Sequence, residues 1–329
     1  MYDEDLLRIT KDRDQTTPEL YPPNDFYGNA KMLKEYAGLS TNYPLKLVIT
    51  HAPYFPKMMW ELDLKWPFSF HLTSSEEARN MAQKTYPWKK FFAFGPHIAY
   101  APLNSAPDVI GRIRKNQGKN LLVFLPHSSH HIAVEYDIQA VLRKILEIGK
   151  EFSSITVCLY WKNTTQELID LCTSHGLKCV SAGHMFDLRF MSRLKTILHC
   201  ADAVATWGYT SAVVYACYLK KPIMVRKVED LYYTSCGDPA IFDKFFNQTI
   251  KKPEAQLMLS IMEKLYKEMR DFRDEPTPLA YELLNLWAGF DQVKTRDEIL
   301  EICLQAEEAF SSLPMHFLMP VSAQMADKS

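Results

Sequence analysis

A chain of 329 residues with 47% hydrophobic side chains is long enough to form two domains of ordinary size, each with a sizeable core. The formal net charge is −1, which argues against a nucleic-acid-binding protein with a broad basic face. No stretch approaches the ~20 apolar residues of a membrane span, and the N-terminal MYDEDLLRITKDRD is too charged for a secretory signal. Seven cysteines without a CxxC pair indicate reduced thiols, so a cytoplasmic location is favoured.

Residues 1–118 are predicted to form a small Rossmann-like domain. The continuous apolar run LKLVIT (45–50) predicts a strand inside a parallel sheet. SFHLT and KFFAF predict two further strands, and the helix between them is capped by Ser74 or Ser75. Residues 101–119 carry prolines and small residues and are interpreted as the linker to the second domain.

Between residues 119 and 252 the pattern becomes regular. The apolar runs LLVFLP, ITVCLYW, KCVSA, AVATW and IMV alternate with helical stripes, which predicts a doubly wound parallel sheet. Residues 253–329 are predicted to form helices over 254–272, 279–289 and 296–311 that pack back on the domains, followed by a loose tail. The predicted fold class is therefore α/β, with two Rossmann-like domains and C-terminal helices.

The stretch DAVATWGYTSAVVYACYLKKP (202–222) predicts a buried strand, a tight turn at Gly208 and a helix that begins at Thr210 or Ser211. Unpaired backbone N–H groups and the helix dipole make such a helix start a favourable place for an anion, usually phosphate. The alternative is that Thr210 or Ser211 only caps the helix. A phosphate site is favoured because this stretch ends a series of strand–helix units.

Two more polar clusters follow predicted strands, at 126–131 (PHSSHH) and at 182–187 (AGHMFD). The carboxyl ends of parallel strands lie at one edge of a sheet, so these clusters are expected to share a pocket with the turn at 208–211. Serine and histidine side chains donate hydrogen bonds to phosphate oxygens. The residues expected in this pocket, besides those of the turn, are His127, Ser128, Ser129, His130, Gly183 and His184. A polar loop with one satisfied histidine is the alternative.

The sequence lacks the motifs that are typical of several common classes of active site. The histidines near 127 have a plausible spacing for a metal, but the chain contains no HExxH motif and no cysteine pair. GxSxG, GxGxxG and GxxxxGK[ST] are also absent, which disfavours a serine nucleophile, an NAD site and a P-loop. No metal and no cofactor are therefore expected. The remaining interpretation is that the N-termini of helices bind the phosphates of a nucleotide.

Taken together, these motifs resemble the GT-B glycosyltransferases over roughly residues 45–226. The run ADAVATWGYTSAVVYACYLKKPIMV is similar to their donor-domain signature, and PHSSHH…YWKN…AGHMFD resembles bacterial surface-polysaccharide proteins. CDP-glycerol glycerophosphotransferases, UDP-sugar 2-epimerases and bacterial sialyltransferases share this layout. The chain departs from the family pattern in two places. Residues 208–211 are GYTS, and Tyr215 stands near the position where the family usually has a glutamate that binds the donor's ribose.

The resemblance implies a metal-independent transferase that moves a sugar from a nucleotide-activated donor to a hydroxyl of a glycan or lipid-linked acceptor, in polysaccharide or glycoconjugate synthesis. It implies that His51, or else Asp63 or Glu61, deprotonates the acceptor, and that His127 lies near the leaving group. Separately, the apolar, Met-rich stripe over 257–269 is interpreted as core packing, and peripheral contact with the inner face of a membrane is its alternative. The alternatives are a glycerophosphotransferase or UDP-sugar epimerase on the same fold, or a non-catalytic nucleotide-binding or scaffold protein.

Overall fold

The first unit is built on a small parallel sheet. The computed structural model describes residues 5–15, 17–53, 61–128, 132–227, 234–237 and 253–312. The first helices and strands are α1 (Leu6–Thr10), α2 (Asn29–Ala37), β1 (Leu47–Ile49), α3 (Glu61–Lys65), β2 (Phe70–Thr73), α4 (Glu76–Thr85) and β3 (Lys90–Ala93). The strands pair in parallel in the order β1-β2-β3. Ser75 caps α4 by accepting a hydrogen bond from the backbone N–H of Ala78.

The second unit is built on a larger parallel sheet. Its helices and strands are α5 (Pro107–Gln117), β4 (Asn120–Phe124), β5 (Ile132–Glu135), α6 (Ile138–Ile148), β6 (Ser154–Cys158), α7 (Gln166–Ser174), β7 (Lys178–Val180), α8 (Phe190–Cys200), β8 (Ala203–Trp207), α9 (Ser211–Tyr218), β9 (Ile223–Arg226) and β10 (Thr234–Gly237). Five parallel strands follow the order β7-β6-β4-β8-β9, while β5 and β10 form a separate antiparallel pair. Numbered from β4, this is the 3-2-1-4-5 order of a doubly wound sheet, so the winding reverses between β4 and β8.

The predicted α/β fold class, with a doubly wound second unit, is confirmed by this topology. The linker interpretation of residues 101–119 is wrong, because 107–117 form α5, which packs against α8. Pro107 occupies the first helical position, where its missing N–H costs nothing, and Gly118 ends the helix with a positive φ of 61°. Proline and glycine therefore mark the two ends of a helix here, and not an extended linker.

The core lies on both faces of the second sheet, as double winding requires. On β4, Leu121 and Val123 pack into one hydrophobic cluster with α6 and α7, while Leu122 packs into the other. The second cluster continues into the first unit through residues such as Leu47 and Phe70. The two units therefore share one continuous apolar core.

The C-terminal helices contact both units. They are α10 (Pro253–Glu268), α11 (Pro278–Ala288) and α12 (Arg296–Ser311), as the sequence pattern predicted to within a few residues. Helix α11 packs on α4 and α9, and α12 packs on α2. The Trp287 indole donates a hydrogen bond to the Pro53 carbonyl. In the apolar stripe over 257–269, Leu265 and Met269 are buried, whereas Leu257 is 56% exposed, so the C-terminal part of the stripe packs into the core. Of the helices described, none combines the length and apolar character needed to cross a membrane.

A buried ion pair fixes the N-terminal segment against the first sheet. The Lys34 ammonium lies 2.7 Å from the Glu19 carboxylate, and both side chains are at most 1% exposed. Lys34 also donates to the carbonyls of Thr41 and Tyr43, and Glu19 accepts from the backbone N–H of Leu45. The pair therefore ties the N-terminal segment, α2 and the approach to β1 together.

Replacement of Lys34 by Met should leave the Glu19 carboxylate buried without its partner. We expect the free energy of unfolding to fall by about 3–5 kcal/mol, the usual cost of an uncompensated buried charge. Urea unfolding followed by circular dichroism measures this. The matched control is Lys31→Met, which breaks the solvent-accessible Lys31–Glu35 pair on the same helix and should cost at most ~0.5 kcal/mol. Equal effects in the two variants would contradict the structural role given to Lys34.

Candidate functional site

An open cleft lies where strands of both units end. The lining residues that come directly after strands are His51, Leu125, His127, Leu159, Tyr160, Ala182, Thr210 and Ser211. His51 follows β1 in the first unit, and the others follow β4, β6, β7 and β8 in the second. The cleft therefore includes the reversal point between β4 and β8, where open α/β sheets bind their ligands.

One wall of the cleft is the start of α9. Thr210 is the N-cap, and its hydroxyl accepts a hydrogen bond from the backbone N–H of Ala212 at 3.3 Å. The cap is therefore Thr210, and the Ser211 hydroxyl lines the cleft beside it. Gly208 makes the turn that leads into the helix, with a φ of 76° and its N–H donated to the Arg226 carbonyl, and it does not line the cleft.

Tyr215 lies one turn further along α9 and also lines the cleft. Long side chains on a helix lean toward its N-terminus, so the Tyr215 phenol leans back toward the helix start. The residue is 2% exposed, burial alone raises its pKa, and within the described part of the chain its phenol makes no hydrogen bond. The Tyr215 hydroxyl is therefore a hydrogen-bonding group of the cleft, beside the start of α9.

His51 lies on the wall that the first unit contributes. Its ring packs edge-on against Phe26, with ring centroids 5.4 Å apart. Burial and the nearby His97 lower the pKa of His51 to about 3. His97 itself is fully buried and its Nε2–H donates to the carbonyl of Thr50. His51 is therefore a neutral imidazole at physiological pH.

His127 lies across the cleft, on the second unit. Its ring stacks on Tyr160, with centroids 4.0 Å apart and planes inclined by 23°. The ring is exposed toward the cleft, yet protein crowds it closely enough that desolvation lowers its pKa. Ser128, the next residue, turns away: its N–H donates to the Asn163 side chain and its hydroxyl accepts from the N–H of Val134. Ser128 thus holds the loop and does not line the cleft.

The structure corrects the expectation for Gly183 and His184. The imidazole of His184 is 1% exposed, packs edge-on against Trp161 and is 3.0 Å from the carboxylate of Asp12. Gly183, with a φ of 103°, is packed so that a Cβ would lie 3.0 Å from Arg193. Neither residue lines the cleft, because the N-terminal segment covers this loop. Only Ala182 of the cluster reaches the cleft.

Asp63 is also outside the cleft, contrary to its expected role as a base. It is fully buried, and it accepts a hydrogen bond of 2.5 Å from the phenol of Tyr21 in a small cluster with Trp66 and Phe68. Burial raises the pKa of Asp63 to about 7, and the Tyr21 hydrogen bond acts in the opposite direction. The carboxyl therefore belongs to the packing beneath the first sheet.

Ser129 and His130 lie outside the described residues, as does the side chain of Glu61. The expected roles of these residues stay predictions. Among the side chains that the structure does describe, no three potential metal ligands cluster.

Sequence reasoning missed several aromatic residues of the cleft, among them Tyr27, Tyr160 and Phe190. Tyr160 belongs to the YWKN string at a strand end, so the strand-end rule could have found it. Tyr27 had no such signal, because it comes from the N-terminal segment that precedes every predicted strand. It reaches the cleft by a contact with the distant loop at Met185.

Comparisons with known proteins give only distant likenesses. No protein-family model matches the chain, and a search of curated proteins finds no match. Among solved structures, the chain is similar to a variant of the wall teichoic acid polymerase TagF, with 11% sequence identity, a TM-score of 0.42, and coverage of 74% of this chain and 59% of that one. It is also similar to the UDP-GlcNAc 2-epimerase from Neisseria meningitidis bound to UDP-GlcNAc, with 15% identity, a TM-score of 0.35, and coverage of 75% and 67%. The chain spans less than two thirds of the polymerase, and the activities in these names are those of the two solved proteins.

Replacement of Asp63 by Asn tests the buried carboxyl. The folded-state pKa of about 7 lies above the ordinary value of 3.8, so the carboxylate opposes folding increasingly from pH 4 to pH 7. Relative to Asp63→Asn, the wild type should therefore lose stability as the pH rises, by about 1.4 kcal/mol per pH unit, until the difference levels off above pH 7. Urea unfolding between pH 5 and pH 8.5 measures this difference.

The control is Asp108→Asn, a change of an exposed carboxyl on α5, measured over the same pH range. A flat difference for Asp63→Asn would show that the Asp63 carboxyl is hydrated in the folded protein.

Proposed function

We propose that this protein is a metal-independent transferase that moves a sugar from a nucleotide-activated donor to a hydroxyl acceptor, with the cleft as its active site. The observation that carries the proposal is the pairing, across one cleft, of an imidazole from the first unit with a helix start from the second. In this proposal the N-terminus of α9 binds the phosphate of the donor, and the imidazole removes the proton from the hydroxyl of the acceptor. The acceptor class is a glycan or a lipid-linked glycan.

Three features of the α9 wall support a phosphate at its N-terminus. The helix dipole and the first backbone N–H groups favour negative charge there. The Ser211 hydroxyl lines the cleft and is not the cap, so it is available to donate. The Tyr215 phenol, which makes no hydrogen bond within the described part of the chain, adds a second donor from the same helix. A phosphate at this position would be held by neutral donors, without a metal ion.

The proposed base, His51, needs the bound donor to become effective. With a pKa of about 3, the His51 imidazole takes up a proton poorly, and a general base works best with a pKa near the operating pH. A phosphate bound in the same cleft would favour the imidazolium and raise that pKa. His51 therefore becomes a stronger base when the donor is bound. His127, on the opposite wall, is proposed to lie near the leaving group.

The low pKa of His51 also favours a second candidate function, in which the chain binds a nucleotide without turning it over. In that case the architecture is kept and the imidazole stays neutral whether or not a ligand is bound. The two candidates make the same prediction for binding and opposite predictions for turnover.

A thermal-shift panel of CMP, CDP, UMP, UDP, GDP and ADP tests nucleotide binding first. A ligand at 100 times its Kd stabilises the folded state by about 2.7 kcal/mol, which is visible as a raised Tm. The nucleotide that raises Tm identifies the donor's base, and slow hydrolysis of the corresponding nucleotide sugar then separates the transferase from the binding protein. No response to any nucleotide would contradict both candidates.

The substitution Ser211→Ala should separate phosphate binding from helix capping. We expect Tm without ligand to stay nearly unchanged, because Thr210 is the cap, and Kd for the responding nucleotide to rise about tenfold for a lost hydrogen bond to a charged group. Thr210→Ala should instead cost about 1 kcal/mol of stability. Calorimetric titration and thermal unfolding measure the two effects. An unchanged Kd in Ser211→Ala would remove Ser211 from the site.

The substitution His51→Ala should lower kcat for transfer by about 10² to 10⁴ and leave Kd for the donor nearly unchanged. Because a base acts in its deprotonated form and the free-site pKa is about 3, kcat/KM of the wild type should show no His51 limb between pH 8 and pH 5. The control is the exposed His199 on α8, whose replacement by Ala should change neither constant. An acidic limb near pH 6.5 that disappears in His51→Ala would contradict the lowered pKa.

A further inference from the structure

His51 follows an edge strand whose backbone is held on both sides. Among the described strands, β1 pairs with β2 alone, so one side of β1 has no strand beside it. The side chain of Asn24 takes the place of a strand there. Its amide donates to the Leu47 carbonyl and accepts from the Ile49 N–H, both at 2.8 Å. The backbone that leads to His51 is therefore fixed although it lies at the edge of the sheet.

Two further side chains hold the backbone at His51 itself. The Nε2–H of His97 donates to the Thr50 carbonyl at 2.5 Å, and a carbonyl only accepts, so the ring proton is on Nε2. The Asn29 amide donates to the His51 carbonyl at 3.2 Å. One bond holds the peptide group before the Cα of His51, and the other holds the peptide group after it. Rotation of either peptide plane, which would redirect the imidazole, breaks one of these bonds.

Both donors are buried at a cost. His97 and Asn29 are fully buried. The Nδ1 atom of His97 and the Oδ1 atom of Asn29 have no hydrogen-bond partner in the part of the chain that the structure describes. A buried polar atom without a partner costs free energy, and an apolar side chain of similar size would avoid that cost. An apolar side chain could not, however, donate to a carbonyl beside His51.

A strained turn places Asn29 at the start of α2, beside the end of β1. Tyr27 has a φ of 61°, in the left-handed region where a side chain other than glycine is strained, and Gly28 follows with a φ of 72°. The surroundings hold such strain in place, because the Tyr27 N–H donates to the carbonyl of Met185 at 2.6 Å. A loop of the second unit therefore fixes the turn that presents Asn29 to His51.

We infer that His97 and Asn29 are positioning residues, which hold the peptide groups on either side of His51 and so fix the direction in which its imidazole points into the cleft. The inference rests on the proposed function, in which His51 removes a proton from the acceptor. A general base must lie within hydrogen-bond reach of that proton, and a displacement of about 1 Å can cost ~10²-fold in rate. Neither His97 nor Asn29 lines the cleft, so both act through His51.

Two substitutions of His97 test this role. His97→Phe keeps a ring of similar size and removes the donor, so kcat for transfer should fall about 10- to 100-fold while Kd for the donor nucleotide stays unchanged. His97→Gln retains an N–H donor near the position of Nε2 and should restore most of kcat. Steady-state kinetics and calorimetric titration measure the two constants.

The matched control is His71→Phe. His71 is 1% exposed and lies on β2 of the same sheet, with its Nε2 atom 2.9 Å from the Phe68 carbonyl, and it does not line the cleft. Its substitution removes a buried imidazole next to a backbone carbonyl, as His97→Phe does. We therefore expect it to lower Tm but to leave kcat unchanged at a temperature at which the variant is folded.

Asn29→Leu tests the second bond and replaces His97→Phe if that variant does not fold. The leucine keeps the shape of the side chain and removes both the amide donor and the unpaired oxygen. We expect the same fall in kcat with an unchanged Kd, because the peptide group after His51 loses its donor. Crystal structures of the wild type and of the variants then measure the position of the His51 imidazole whether or not a donor is turned over.

The outcomes separate this inference from the proposed function. If the His51 imidazole moves in His97→Phe and in Asn29→Leu but stays in place in His97→Gln, while the wild type turns over no nucleotide sugar, the positioning role stands and the transferase function fails. If the imidazole keeps its place in His97→Phe and in Asn29→Leu, the inference is overturned and the proposed function is unaffected. A fall in kcat that is as large in His97→Gln or in His71→Phe would also overturn it, because loss of stability alone would then explain the effect.

Discussion

Parallel pairing on both sides of β4 is the constraint on which the site depends. Leu121 pairs with Ile155 of β6 on one side and with Ala203 of β8 on the other, so all three strands end at the same edge. After β4 the chain adds β6 and β7 on one side of it, and then β8 and β9 on the other side. A crevice therefore opens between the carboxyl ends of β4 and β8. Residues far apart in sequence, such as His127 and Ser211, line one cleft for this reason alone.

The cleft has its present shape because the N-terminal segment joins the two units. Arg13 pairs with Asp187 and the N–H of Tyr27 bonds to Met185, so the segment grips the loop after β7. The buried ion pair of Lys34 and Glu19 holds the same segment on the first unit. The resulting site is lined mainly by apolar and aromatic residues, and its two imidazoles have lowered pKa values. The proposed binding of a phosphate in this site is accordingly assigned to the backbone N–H groups of α9 and to hydroxyl side chains.

The elements of the second unit were predictable because their signals are local. A buried parallel strand needs a continuous apolar run, and a surface helix needs a 3.6-residue stripe, so LLVFLP and the stripe of α6 could be read directly. Local signals can also mislead. Pro107 and Gly118 are typical of a linker, but in this chain they lie at the two ends of α5. The rule that the parallel strands of one sheet share an edge predicted that His127, Thr210 and Ser211 lie together. His51 follows a strand of the other sheet, and its place in the site was expected only from the resemblance.

Most strands and helices, and the polar residues that follow the strands, could be predicted because these properties depend on neighbouring residues. Which of those polar side chains face the cleft depends on tertiary contacts. His184 and Asp63 are covered by partners distant in sequence, Asp12 and Tyr21, and no local pattern contains such contacts. Tyr27 enters the site for the same reason, through a hydrogen bond to a residue 158 positions further along the chain, the difference between 185 and 27.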